Sequence, residues 1–155
     1  MSTQIVTFTG HRPNKLAPNA KQDIKHMLNQ IDSPCVVRIG MALGADTLCA
    51  EACFELEIEF EAWLPCPNQH SRLHMLPYAS KQILVSESYS RGCMHKRNKA
   101  MLKGSDLLIA YYNGDRTGGT AHTVKTATKQ GIPVLSGFDG QFKSPVKDCK
   151  QLSLF

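Results

Sequence analysis

Three short stretches of this 155-residue chain combine glycine with side chains able to hold an anion. They are Thr9-Gly10-His11-Arg12-Pro13, Gly40-Met41-Ala42-Leu43-Gly44-Ala45-Asp46, and the segment from Asn113-Gly114 to Gly118-Gly119-Thr120. Each follows an apolar or β-branched run. A strand that empties into a glycine-rich turn and then a helix presents backbone N–H groups and a helix dipole, which is a phosphate site in outline. Met94 to Lys103 adds a fourth component. At 100° per residue Met94, Met101 and Leu102 form one apolar stripe, Arg97 and Asn98 fall inside it, and Lys96, Lys99 and Lys103 gather opposite. A guanidinium on the inward side of a helix is costly unless an anion or carboxylate meets it. One glycine turn says little, because turns need glycine anyway. Three of them joined by Arg97 point to a phosphate or nucleotide site.

The elements that must position these residues alternate. Gln4 to Thr9 reads as a strand, and Pro18 and Asn19 open a helix with Ala20, Ile24, Met27 and Leu28 at amphipathic spacing. Cys35 to Ile39 is a second strand, followed by a helix with Ala45, Leu48, Ala52 and Leu56 on its apolar face. Glu59 to Leu64 is a third, stopped by Pro65 and Pro67; a short helix near Leu73 to Ala79 and a strand through Ile83 to Val85 come next. Asp106 to Tyr112 is a continuous apolar strand, as in a sheet covered on both faces. The following helix is closed by Gly131 and Pro133, and Pro133 to Leu135 forms a last strand. Such alternation predicts an α/β domain, a doubly wound parallel sheet with helices on both faces and right-handed crossovers. In such sheets ligands bind at the carboxyl ends of the strands, so all three glycine turns open on one rim. The expected division is a ligand-binding domain over residues 1–136 and a tail over 137–155, with Gly137 and Gly140 signalling loop.

Composition narrows the class. Hydrophobic content of 42% and charged content of 20% fit a soluble globular protein. No apolar run approaches the roughly 18 residues of a membrane span, and the N-terminus lacks a signal-peptide pattern. A cytoplasmic location with no membrane partner is therefore expected. The six cysteines show no CxxC pair and read as reduced, buried thiols rather than disulfides or zinc ligands. His70 and His74 have metal-ligand spacing without a third ligand, and no metal or cofactor is expected. The net charge of +5 suits a phosphate-bearing ligand, but the basic residues are spread along the chain, which is commonly only a solubility feature.

The Thr9–Pro13, Gly40–Asp46 and Gly118–Thr120 motifs resemble those of the SLOG superfamily, a Rossmann-like group that includes LOG proteins, DprA and YpsA-like proteins. The likeness spans residues 4 to about 135 and is greatest to the YpsA-like branch. It implies a single Rossmann-like domain and a nucleotide or nucleotide-derived ligand. Met94 to Met101 is also similar to the arginine motif of LOG phosphoribohydrolases, which cleave a base from ribose 5′-phosphate with an arginine and a glutamate. The arginine would correspond to Arg97. The glutamate position, in the pattern GGxGTxxE, is occupied by Thr123, which cannot stabilise an oxocarbenium-like centre. Asp46, Glu87 or Asp115 would have to serve instead. Gln151-Leu152-Ser153-Leu154-Phe155 resembles the QL(S/D)LF motif with which bacterial replication and repair proteins dock on the DNA sliding clamp. An apolar end on a lysine-bearing tether can fill a groove as an extended peptide, or it can fold back onto its own domain.

Several residues admit two readings. Thr120 either caps a helix or meets a phosphate, and the two are compatible. Arg97 either pairs with Asp46 or Glu87 or meets a ligand. Asp46 either serves its helix dipole or binds a ribose hydroxyl, and Tyr111 or Tyr112 either stacks on a base or packs against a helix. The expected function is binding of a nucleotide-like small molecule by Gly10, His11, Arg12, Gly40, Gly44, Asp46, Arg97, Asn98, Gly118, Gly119, Thr120 and Thr123. A homo-oligomer is compatible with it. The alternatives are phosphoribohydrolase catalysis through Arg97 and Asp46, and DprA-like single-stranded DNA binding. The last lacks the interleaved aromatic and basic stripe that base stacking favours.

Overall fold

The computed structural model describes residues 3–32, 34–67 and 74–145. Gln151 to Phe155 and His70, singled out above, lie outside the described residues. The order is β1 (Gln4–Gly10), α1 (Ala20–Leu28), β2 (Cys35–Ile39), α2 (Ala45–Glu55), β3 (Glu59–Leu64), β4 (Lys81–Leu84), α3 (Cys93–Leu102), β5 (Leu107–Tyr111), α4 (Gly119–Lys129), β6 (Val134–Phe138) and β7 (Gln141–Lys143). The seven strands form one sheet in the order β4-β3-β2-β1-β5-β6-β7, parallel except for β7 against β6. The fold is Rossmann-like, as the alternation of elements predicts. The chain winds outward from β1 in both directions, so the switch in strand order lies between β1 and β5.

Side chains alternate across each strand, and the two faces of this sheet differ in kind. Toward α1 and α2 the sheet presents Val6, Phe8, Val37, Ile39, Phe60, Ala62, Leu64, Ile109, Tyr111 and Leu135. Ile24, Met27 and Leu28 of α1 are buried against them, matching the amphipathic spacing. On α2 the interior is taken by Ala45, Cys49, Ala52 and Cys53, while Leu48 and Leu56 are half-buried. The small side chains win the inner face because α2 packs against both the sheet and α1. Opposite, under α3 and α4, the apolar cluster is limited to Leu102, Leu108, Ala127 and Ile132 with Val124 and Val134.

Two expectations are corrected. The region near Leu73 to Ala79 contains a single 3-10 turn, Leu76–Tyr78, and no α-helix among its described residues. Gly137 and Gly140, expected to open a tail, lie within a hairpin instead. Strand β6 continues to Phe138, Asp139 and Gly140 turn with positive φ, and β7 pairs Phe142 with Gly137. A Cβ on Gly137 would sit 2.7 Å from the Phe142 ring and 2.8 Å from Met27 Sδ, so a side chain there would have to displace one of them. Cys35, Cys49, Cys53, Cys66 and Cys93 are free thiols. No helix among the described residues is long and apolar enough to cross a membrane.

Candidate functional site

The loops that leave β1, β2 and β5 meet at the carboxyl rim, on the switch between β1 and β5. Backbone hydrogen bonds lock them together: His11 N donates to Tyr111 O (3.1 Å) and Ala45 N donates to His11 O (3.0 Å). The His11 ring, only 7% exposed, lies beside Asn113, whose backbone N–H donates to Nε2 (3.1 Å). His11 thus ties the β1 loop to the β5 loop. Two glycines are demanded by close approach. A Cβ on Gly44 (φ 101°) would stand 2.6 Å from His11 O, and one on Gly40 would stand 2.6 Å from Arg97 Cζ. Gly40 therefore makes room for a guanidinium.

Arg97 points inward from α3, as its place in the apolar stripe predicts, and is 5% exposed. Its partners are not the carboxylates considered above. Nη1 donates to Gly40 O (2.5 Å) and more distantly to Trp63 O (3.4 Å), and Nε donates to Asn98 Oδ1 (2.7 Å). No carboxylate among the described residues lies within ion-pair distance of it. Glu87 is exposed and does not line the pocket. Burial lowers the Arg97 pKa, with the nearby Asp46 charge opposing that shift. Asp46 is 7% exposed in the first turn of α2, and its Oδ2 accepts from Ala42 N (3.0 Å). Burial pushes its carboxyl up to about 6, against the lowering pull of Arg97, the Ala42 hydrogen bond and Arg12. A buried carboxylate beside a buried arginine without a direct ion pair leaves both groups with unused capacity toward the pocket.

That pocket has a volume of about 680 Å³. Helix α4 begins at its edge, with Gly118 in a positive-φ conformation and open space where Cβ atoms on Gly118 and Gly119 would lie. No side chain caps the α4 N-terminus, so its first N–H groups face the pocket unmet by protein side chains. Thr120 is buried and lines the site without an N-cap bond. Five basic side chains line the pocket, Arg12, Lys15, Arg97, Arg116 and Lys125, against one acidic side chain, Asp46. The fold thus gathers charge that looked diffuse along the chain. Such a concentration in a cleft attracts an anion.

Of the expected residues, Gly10, His11, Arg12, Gly40, Asp46, Arg97, Asn98, Gly118, Gly119 and Thr120 line this one pocket. Gly44 and Thr123 do not. Gly44 acts through the backbone turn, and Thr123, 2% exposed, faces a separate cavity between α3 and α4. Its hydroxyl donates to Gly119 O (3.0 Å) and accepts from Asn98 Nδ2 (3.3 Å). Neither tyrosine is offered to a ligand there: Tyr111 donates its hydroxyl to Asp23 (2.8 Å) within the core, and Tyr112 does not line the pocket. The sequence reading missed Asn14, Lys15, Arg116, His95, His122 and Lys125. Lys15 and Arg116 lie in the same loops as the expected residues, so extending each glycine motif by a few positions would have found them. Lys125 is one turn or more into α4 and carries no such signal.

No family model matches the chain, and no curated protein matches it. Solved structures share its fold. DprA from Streptococcus pneumoniae superposes with a TM-score of 0.71 at 12% identity, covering 98% of this chain and 56% of that one. The chain thus spans little more than half of that relative. The molybdenum cofactor binding protein of Rippkaea orientalis gives 0.66 at 20% identity, covering 100% of this chain and 83% of the other. The molybdenum cofactor carrier protein of Chlamydomonas reinhardtii gives 0.65 at 18% identity, covering 87% and 76%. At these identities the likeness establishes the fold.

Proposed function

We propose that this chain binds a phosphate-bearing nucleotide or nucleotide derivative at the carboxyl rim, in a sensing, sequestering or adaptor role. The observation that carries this reading is the convergence of five basic side chains and an uncapped helix start on one pocket with a single carboxylate. In this reading the α4 amides and Thr120 hold a phosphate, Arg116 and Lys125 neutralise it, and Asp46 accepts from a ribose hydroxyl. The SLOG motifs favour the same class of ligand, with the YpsA-like branch as the finer assignment. A fold shared with proteins named for the molybdenum cofactor supports a small-molecule site, and that cofactor belongs in any ligand panel. Thermal shift against nucleotides tests the proposal. A ligand at 100 times its Kd adds about 2.7 kcal/mol of stability. Failure of every nucleotide to raise Tm would refute it.

A second reading, hydrolysis of a nucleoside monophosphate, is favoured only by Asp46, the one carboxylate lining the pocket beside Arg97. Thr123 stands where the LOG glutamate belongs and is held by hydrogen bonds to Gly119 O and Asn98 Nδ2, so Thr123→Glu breaks both and is expected to destabilise rather than activate. We expect no free base when nucleoside monophosphates are incubated with the protein and separated by chromatography. Turnover that Asp46→Asn removes would reverse the ranking of the two readings. Docking of residues 151–155 on a bacterial sliding clamp is a separate proposal. It predicts clamp binding by the full chain that deletion of those five residues eliminates.

A further inference from the structure

The nucleotide pocket does not end at the rings of His95 and His122. These two side chains, one from α3 and one from α4, meet edge to face with centroids 4.8 Å apart. Together with Asn98 they also wall a second cavity of about 440 Å³, which continues between the two helices as far as Leu102 and Thr126. Lys96 and Lys99 line this cavity, and no acidic residue does. Among the described residues neither lysine is paired with a carboxylate, and neither imidazole is hydrogen-bonded to another group.

The arrangement works against the helix that carries it. Cys93–Leu102 has no acidic residue in its first turn, and Lys96 lies in its N-terminal half, where a cation opposes the macrodipole. Lys96 and Lys99 are three residues apart on the same face and repel each other. Both costs are reversed when an anion enters between them. The cavity wall also includes Leu102 and lysine stems, so it can take an apolar group beside the charge.

We infer that the groove between α3 and α4 is a second anion subsite, continuous with the first across His95 and His122, and that it takes a second phosphate of the bound nucleotide. The inference rests on the nucleotide reading of the first pocket. It shifts the ligand class from nucleoside monophosphates to molecules with two phosphate groups. The second phosphate belongs either to a nucleoside diphosphate or to a phosphodiester-linked second nucleotide.

Titration calorimetry of the full chain tests this with nucleoside mono- and diphosphates of each base and with 5′-phosphorylated dinucleotides. The same ligands are applied to the double variant Lys96→Gln/Lys99→Gln, whose changed residues lie outside the first pocket. The second phosphate is expected to tighten binding roughly tenfold, the scale of one charge-assisted hydrogen bond. The double variant should lose that gain while its monophosphate affinity is unchanged. A gain shown by diphosphates identifies a free nucleotide, and one shown by dinucleotides identifies a strand or linked pair. If monophosphates bind and the ratio is the same in both proteins, the second subsite is refuted and the first pocket stands. If no nucleotide binds, the first reading fails. Inorganic tripolyphosphate then decides the subsite alone, through the NMR signals of the His95 and His122 rings. Shifts that the double variant diminishes support it, and rings unmoved by tripolyphosphate overturn it.

Discussion

Under α1 and α2 the sheet offers Val6, Phe8, Val37, Ile39, Phe60 and Ile109, and the helices answer with Ile24, Met27 and Leu28. Under α3 the alternate positions of β1, β2 and β3 are Thr7, Arg38, Glu61 and Trp63. The contacts there are mostly polar. Thr7 Oγ1 and Arg38 Nη1 each donate to Met101 O at 2.8 Å, Arg38 also donates to Lys103 O (2.8 Å), and its guanidinium lies 4.8 Å from the Trp63 ring centroid. These bonds satisfy the Met101 and Lys103 carbonyls at the end of α3, while Ser105 N, across the turn at Gly104 (φ 79°), donates to Leu102 O (3.0 Å). The first face carries most of the buried apolar area, and the second only the smaller cluster around Leu102 and Leu108. The second also holds a helix in place by hydrogen bonds, and this lets α3 direct Arg97, rather than a hydrophobic residue, at the pocket. The candidate pocket lies at the rim where the two faces meet, with Phe8 and Asp46 from the first side and Arg97 and Asn98 from the second.

The most damaging change to the first face is Ile24→Ala. Ile24 is fully buried on the apolar side and is not part of the pocket lining, and truncation is expected to cost about 2–5 kcal/mol. Urea unfolding measures it. The increment added by a bound nucleotide should be unchanged; a lost increment would mean that the apolar face and the rim are coupled.

Asp46→Asn examines the rim itself. The folded carboxyl titrates near 6 against an ordinary 3.8, so between these values the folded state binds the proton that the unfolded state releases. Stability contributed by protonated Asp46 is therefore complete below about pH 4 and is lost as pH rises to about 6, by on the order of 3 kcal/mol. Denaturant midpoints from pH 4 to 7 should show this fall in the native protein and a flatter profile in Asp46→Asn. The Ile24→Ala variant should keep the native slope. Identical profiles for native and Asp46→Asn would place the carboxyl in contact with water.

A smaller and more local effect is expected from Gly40→Ala, because its Cβ would meet the Arg97 guanidinium at 2.6 Å. Overpacking of this kind costs about 1–3 kcal/mol, and displacing Arg97 should abolish nucleotide binding. Gly119→Ala, which meets open space, should leave thermal stability within about 0.5 kcal/mol. Equal effects from the two alanines in a thermal melt would show that Arg97 can move aside freely.

Much of this organisation was legible along the chain. Periods of two and of 3.6 residues are local, and they place Ile24, Met27 and Leu28 inward and Arg97 within an apolar stripe before any tertiary contact is known. Pro133 and Gly131 likewise end α4 by backbone constraint alone, the latter with φ 76°. The hairpin of β6 and β7 was not legible, because Gly137 signals a loop unless its neighbours are known to be Met27 and Phe142. Nor was the gathering of charge. Arg12, Lys15, Arg97, Arg116 and Lys125 span more than a hundred residues, and only the strand order that sets β1 beside β5 brings their loops together. The same convergence decides what Arg97 touches. Its inward direction is a property of helix geometry, whereas the carbonyls it meets, those of Gly40 and Trp63, come from the loop after β2 and from β3. Sequence determined most of the strands and helices and the inward direction of residues such as Ile24 and Arg97, since these depend on near neighbours. Which side chains meet, and at what charge, depended on crossovers between distant segments, and only the tertiary structure decides those.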